Sequence, residues 1–197
     1  MAPAVPDGRV LITGGIRSGK SREAERRLAD VAAVTYVATA TRDDDPEWAA
    51  RIAAHRARRP PGWTTVETLA LADLLRDTTA DDPPLLVECV NTWLAGTMAA
   101  SGCWDGDGPA NSPRSGAYMH PTVASSALEK AVDELVDAWA TTRARVIAVT
   151  NEVGLSLVPT TPAGRWFAEE LGTLNARLAA EADEVWLVVA GIPTKLR

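Results

Sequence analysis

Three groups of residues have the types and spacing to do phosphate chemistry. The first is Gly14-Gly15-Ile16-Arg17-Ser18-Gly19-Lys20-Ser21, which has the spacing Gly, four residues, Gly-Lys-Ser. Glycines let a backbone curl tightly enough for successive N–H groups to face phosphate oxygens. A lysine adds a point charge near the terminal phosphates, and a following hydroxyl is the expected ligand for magnesium. This motif indicates a nucleoside triphosphate but does not separate a kinase from an ATPase or a switch. The second is Glu88, which ends the apolar run Leu85-Leu86-Val87. An acid there is a candidate for the magnesium shell, because a buried carboxylate needs an ion or a partner. The alternative is a strand-end carboxylate paired locally or exposed to solvent.

The third group surrounds His55: Arg51, Arg56, Arg58 and Arg59 make a basic segment in an otherwise acidic chain. By itself such a segment is compatible with a solvated helix face or a general anion site. A neutral imidazole can also attack phosphorus while guanidinium groups neutralise the phosphates it approaches, or it can serve as a general base. The neighbouring positive charges disfavour the imidazolium.

These groups need elements to position them. Arg9 to Thr13 reads as a buried strand leading into the glycine-rich loop, and Arg22 to Ala32 as the helix leaving it. Further strands are expected at Val34 to Thr39, Thr64 to Leu69, Leu85 to Val90, Arg145 to Thr150 and Val185 to Ala190, the last closing the pattern. Helices are expected at Glu47 to Arg58, Leu71 to Arg76, Ala124 to Ala140 and Pro162 to Ala180. Leu128, Val132, Leu135, Val136 and Trp139 form one stripe, and Trp166, Leu171, Leu174 and Leu178 form another. Short, continuously apolar strands alternating with helices predict an α/β, three-layer P-loop fold with a mainly parallel central sheet. The chain of 197 residues is expected to form a single domain, with residues 101–121, rich in Gly, Pro, Ser and Asn, as a flexible loop.

Composition narrows the function classes. Twenty basic against twenty-six acidic residues, a net charge of −6, argue against a nucleic-acid partner. Two cysteines and two histidines do not make a zinc cluster. The absence of a signal-like start and of any membrane-length apolar run predicts a cytoplasmic protein with no membrane span. Cys89 reads as a small buried side chain, and His120 as incidental.

Taken in order, the motifs resemble one family. Gly14 to Ser21 is similar to a GGxRSGKS loop, and His55 to Glu67 to an HRxxRPxxWxTxE segment that includes Trp63 and Thr65. Glu88, Cys89 and Trp93 match a block of acid-CxxxW form. Thr150 to Pro159 resembles TNEVGxxxVP, Gly172 to Asn175 a GxxN stretch, and Ala182 to Pro193 ADEVxLVVAGIP. The chain thus resembles the bifunctional adenosylcobinamide kinase and adenosylcobinamide-phosphate guanylyltransferase family from residue 10 to 193. It departs from the family's pattern at Asn91, commonly threonine, and at Gly96, often asparagine.

The resemblance implies ATP or GTP as substrates with Mg²⁺ held through Ser21 and Glu88. A kinase step would use Lys20, and a second step would pass GMP from GTP through a guanylyl-histidine at His55 to adenosylcobinamide phosphate. Arg56, Arg58, Arg59 and Glu67 would contact nucleotide, and Asn151 and Glu152 would shape the nucleotide or cobinamide site. A homotrimer is also implied. The competing readings are a P-loop small-molecule kinase without guanylyl transfer, and a nucleotide-dependent switch. For Asn151 and Glu152 the alternative is a helix cap and a surface acid; for Asp183 and Glu184, ahead of the final strand, a solvated turn and a site role stand equally.

Overall fold

The computed structural model describes residues 8–39, 59–103, 123–155 and 157–197. The strands are β1 (Arg9–Gly14), β2 (Val34–Ala38), β3 (Trp63–Glu67), β4 (Leu85–Glu88), β5 (Val146–Val149), β6 (Glu184–Val189) and β7 (Ile192–Lys195). The helices are α1 (Lys20–Arg27), α2 (Leu71–Asp77), α3 (Val90–Ala100), α4 (Val123–Thr141) and α5 (Pro162–Glu181). One seven-stranded sheet has the order β3-β2-β4-β5-β1-β6-β7, parallel throughout except for the β6–β7 pair.

Side chains on a strand alternate between faces, so each apolar strand feeds two cores. Leu11, Val37, Leu85, Val87, Val146, Ala148 and Val185 point to one side and pack with α2, α3, α4 and α5. Both expected helix stripes supply that core: Leu128, Val132, Leu135, Val136 and Trp139 from α4, and Leu171, Leu174 and Leu178 from α5, with Trp166 partly buried against them. Val10, Ile12, Tyr36, Leu86, Ile147 and Val149 point to the other side, where α1 adds Ala24 and its C-cap adds Leu28. The result is the expected three-layer α/β arrangement.

Several expectations are corrected. The helix after the glycine loop begins earlier, at Lys20, because the loop runs directly into its first turn. It ends at Arg27, where Leu28 N–H bonds to Glu25 O and the chain tightens into turns. Strand β4 stops at Glu88, and Val90 instead begins α3 behind its N-cap, Cys89. The chain does not finish its sheet at β6. Ala190 and Gly191, with φ of +50° and +81°, reverse it into the antiparallel β7. Two consecutive left-handed residues match the twist of a two-residue hairpin, and Ala190 supplies one of them without being a glycine. Asp183 and Glu184 are not a solvated turn. Asp183 accepts hydrogen bonds from the Arg9 backbone N–H at 2.8 Å and from its Nε at 3.1 Å. Glu184 opens β6 and accepts from Trp186 Nε1 at 2.7 Å and Lys195 Nζ at 3.2 Å.

The expected helix at 47–58 lies outside the described residues. Of the expected loop at 101–121, Ser101–Cys103 form a turn closing α3, with Ser101 N–H on Thr97 O. Residues 104–121, and with them His120, lie outside.

Candidate phosphate-transfer site

The loop between β1 and α1 is shaped by exclusion. A Cβ on Gly14 would lie 2.4 Å from Val188 O and 2.6 Å from Ser18 Oγ, so the end of β1, beside β6 and against the loop, demands glycine. Gly19 has φ +98° and serves as the N-cap of α1, and a Cβ there would meet Gly191 Cα at 3.3 Å. Arg17, at φ +59°, is a non-glycine residue in the left-handed region. Within the loop, Ser18 N–H donates to Gly15 O at 3.2 Å, and the buried Lys20 donates through Nζ to the same carbonyl at 3.1 Å. Ile16 stands out at the tip, 84% exposed. The Thr13 and Ser18 hydroxyls are buried and have no partner among the described residues.

Glu88 reaches this loop from two strands away, since β5 separates β4 from β1. Ser21 Oγ donates to Glu88 Oε1 at 2.6 Å, bringing together the two residues expected to share a cation. Burial pushes the Glu88 carboxyl up to about 7, with Glu25 adding to the rise while the Ser21 hydrogen bond, Lys20 and Arg59 oppose it. A hydroxyl and a carboxylate set side by side at the mouth of a phosphate loop are hard oxygen donors. That donor set fits Mg²⁺, which takes one or two protein oxygens and completes its shell with phosphate and water.

A second cation comes from the segment ahead of β3. Arg59 lies over the Tyr36 ring, 3.1 Å from its centroid, and donates through Nη1 to Thr65 Oγ1 at 3.1 Å. Tyr36 and Thr65 are register partners on β2 and β3. Burial and the Glu88 charge together raise the Tyr36 hydroxyl well above its ordinary range. Glu67, exposed, ends β3 in register with Ala38, which pairs in turn with Glu88. His55, Arg56 and Arg58 lie outside the described residues.

The sequence reading missed a buried polar knot that anchors Glu88 from behind. Thr39, fully buried just past β2, donates to Cys89 O at 2.6 Å, accepts from Cys89 N–H at 3.1 Å and contacts Thr92 Oγ1 at 2.7 Å. Threonines at a strand end carry no motif that would announce this. Burial, reinforced by Glu88, pushes the Cys89 thiol up to about 12, which makes it a poor nucleophile. Its single S–H has two acceptors within reach, Asn91 Oδ1 and Val149 O, so Asn91 has a local partner at the start of α3. Gly96 packs on Leu69, whose Cδ2 would lie 3.0 Å from an added Cβ.

Asn151 and Glu152 follow β5, beside the loop. Glu152 N–H donates to Gly14 O at 3.0 Å, and its Oε1 accepts from Gly154 N–H at 2.8 Å. The segment is held from below by Asn175, which accepts from Thr150 Oγ1 at 2.7 Å and donates to Asn151 O at 2.9 Å. Neither residue caps a helix; that role on α5 falls to Thr161, which accepts from Gly164 N–H.

Comparison with known proteins agrees with this geometry. The model of the cobinamide kinase / cobinamide phosphate guanyltransferase family matches residues 10–196. The chain is 41% identical to the bifunctional adenosylcobalamin biosynthesis protein CobU of Salmonella typhimurium, over 95% of this chain and 99% of that protein. It is 37% identical to the bifunctional adenosylcobalamin biosynthesis protein CobP of Pseudomonas aeruginosa, over 96% and 97%. Among solved structures, an ATPase of a bacterial type III secretion system superposes with a TM-score of 0.54 at 11% identity. That match covers 96% of this chain and 57% of the other, and it shows shared fold alone. No helix among the described residues is long and apolar enough to cross a membrane. With the whole motif series matched and the P-loop seated in its strand-and-helix frame, the chain belongs to the cobinamide kinase / cobinamide phosphate guanyltransferase family, nucleotide-using enzymes of cobalamin biosynthesis that carry out both transfers.

Proposed function

We propose that the loop Gly14–Ser21 holds the triphosphate for the kinase step, and that the 2.6 Å contact between Ser21 and Glu88 marks the cation position. That contact carries the reading: it joins residues 67 positions apart at the end of the loop where terminal phosphates are expected. Lys20 and the loop amides would stabilise charge on the transferred group. Ser21 and Glu88 would hold Mg²⁺, which supplies neutralisation of the phosphate oxygens. The hydroxyl oxygen of the cobinamide side chain bonds to the γ-phosphorus, the bridging P–O bond breaks, and the hydroxyl proton is lost as the nucleoside diphosphate leaves.

In the second step a His55 ring nitrogen bonds to the α-phosphorus of GTP and pyrophosphate leaves. A phosphate oxygen of the substrate then displaces histidine and takes the GMP. The matching HRxxRPxxW segment supports this role, as does the placement of Arg59, which Tyr36 and Thr65 hold on the Glu88 side of the sheet. Arg56, Arg58, Arg59 and Glu67 are assigned to the nucleotide, and Asn151 and Glu152 to the shape of the site. The chain works in the cytoplasm as one domain and assembles as a trimer. The exposed Ile16, Leu155, Leu157, Val158 and Ile192 support such a subunit contact, which sedimentation would check.

Incubation with Mg²⁺ and α-labelled GTP, followed by denaturing separation, tests the covalent step. An acid-labile label present in the native protein and absent in His55→Ala is expected. A label that survives His55→Ala would overturn the assignment.

A further inference from the structure

The P-loop is braced from both sides by backbone groups that lie outside the Gly14–Ser21 motif itself. Strands β5 and β6 flank β1, and the segment following each sends one N–H to a loop carbonyl. After β5, Glu152 N–H donates to Gly14 O at 3.0 Å; after β6, Gly191 N–H donates to Ser18 O at 2.8 Å. A trans peptide is planar, with its C=O and N–H pointing in opposite directions. Pinning the Gly14 carbonyl on Glu152 therefore turns the Gly15 amide away from that partner. Pinning the Ser18 carbonyl on Gly191 turns the Gly19 amide away from the hairpin in the same manner. The Gly15 amide so turned faces β6, where Val188 is the register partner of Gly14, whereas the Gly19 amide opens α1 and is one that a polyphosphate would use.

The turn geometry fits this role. A Cβ on Gly191 would meet nothing within 4 Å, so space does not demand glycine there. Its φ of +81° does, because that conformation completes the two-residue hairpin and aims the amide at Ser18. The hairpin tip also lies against Gly19, whose added Cβ would sit 3.3 Å from Gly191 Cα.

We propose that the β6–β7 turn, through the amide of Gly191, is a positioning element of the phosphate cradle: it orients the peptide plane whose N–H, that of Gly19, meets the polyphosphate. The proposal rests on the reading of Gly14–Ser21 as the triphosphate site. The brace acts before ligand arrives, so the Gly19 amide needs no reorientation on binding. Its removal would weaken polyphosphate binding more than binding of a nucleotide that lacks the β and γ groups.

The decisive variant replaces the Gly191 amide by an ester, with glycolic acid introduced at that codon by a suppressor tRNA; this deletes one N–H and no side chain. Dissociation constants for a non-hydrolysable ATP analogue and for AMP would be compared with those of the native chain, well below each protein's melting temperature. Loss of one oriented hydrogen bond predicts about tenfold weaker binding of the analogue and less than about twofold for AMP. Ala190→Asn, which suits the same turn, leaves the ratio of the two constants unchanged. Gly191→Val, which forces φ out of the left-handed region, gives a second reading of that ratio and is expected to shift it in the same direction. An unchanged ratio in both Gly191 variants would overturn the proposal. A native chain that binds no ATP analogue at all would instead overturn the cradle reading beneath it.

Discussion

The P-loop side of the site and its β2–β3 side are built by different means. Around Gly14–Ser21 the fixing contacts are mostly backbone: glycines that close packing or positive φ requires, and carbonyls bonded by Ser18, Glu152 and Gly191. Around Arg59 they include side-chain contacts at the sheet edge, among them the guanidinium on the Tyr36 ring and its hydrogen bond to Thr65. A backbone-built cradle suits a generic polyphosphate, because the fold itself fixes its donors. An edge held by side chains can be tuned without disturbing the strands. Glu88 joins the two, bonded to Ser21 and within the electrostatic reach of both Lys20 and Arg59.

The sharpest way to break that comparison is Lys20→Ala. Removing the preorganised charge is expected to lower kinase kcat/KM by about a thousandfold with little change in melting temperature. A loss under tenfold would mean that the loop does not carry the transfer. Glu88→Gln comes next: kinase turnover should fall by about a hundredfold and the Mg²⁺ requirement should rise, because a neutral amide is a weak ligand for a hard cation. Thermal stability should hold or increase, since the variant no longer buries a carboxyl whose charge is disfavoured. A clear drop in melting temperature would recast Glu88 as structural.

Arg59→Ala tests the other region. It should raise the GTP requirement for covalent labelling by about tenfold and cost about 1 kcal/mol from the lost cation–π contact. Arg59→Lys should recover stability better than labelling, because an ammonium cannot make the planar contacts of a guanidinium. Equal losses in the kinase step and in labelling would show that the two sides do not work separately.

The smallest expected effect concerns the ion cluster under α1. Burial alone would raise the Glu23 carboxyl, but hydrogen bonds from Arg26 and Arg27, each at 2.8 Å, hold it below its ordinary value of 4.5. A depressed carboxylate contributes stability that is fully present above that ordinary value and is lost as pH falls through the depressed one. Glu23→Gln should therefore cost about 1 kcal/mol at neutral pH. The cost stays modest because Arg27 keeps Glu184 and the Trp186 ring. The difference from the native chain should vanish in acid; a difference that persists undiminished at pH 2 would assign it to packing.

Much of this site was legible in the linear sequence, for a physical reason. A P-loop is a local object whose glycine, lysine and serine requirements fall within eight consecutive residues, between a strand and a helix with their own periodicities. Glu88 was legible too, because an acid ending an apolar run has few ways to be satisfied. The two helix stripes carried the main core. The extra strand β7 was hidden, because Ala190 takes a conformation normally left to glycine or asparagine. The early helix start at Lys20 was hidden as well, since the loop's last residues resemble any polar turn.

What the sequence determined by itself was the chemistry present: which groups can bind phosphate, which acid can share a cation, which faces must be buried. Tertiary structure alone decided how those groups meet. It inserted β5 between the strands carrying the loop and Glu88, hung Thr39 behind Cys89, laid Arg59 on Tyr36, and brought Glu152 and Gly191 to the loop carbonyls. Strand order comes from the packing of the whole sheet, and a backbone N–H is the same donor in every residue but proline. Neither leaves a mark in residue type that could be read before the chain is folded.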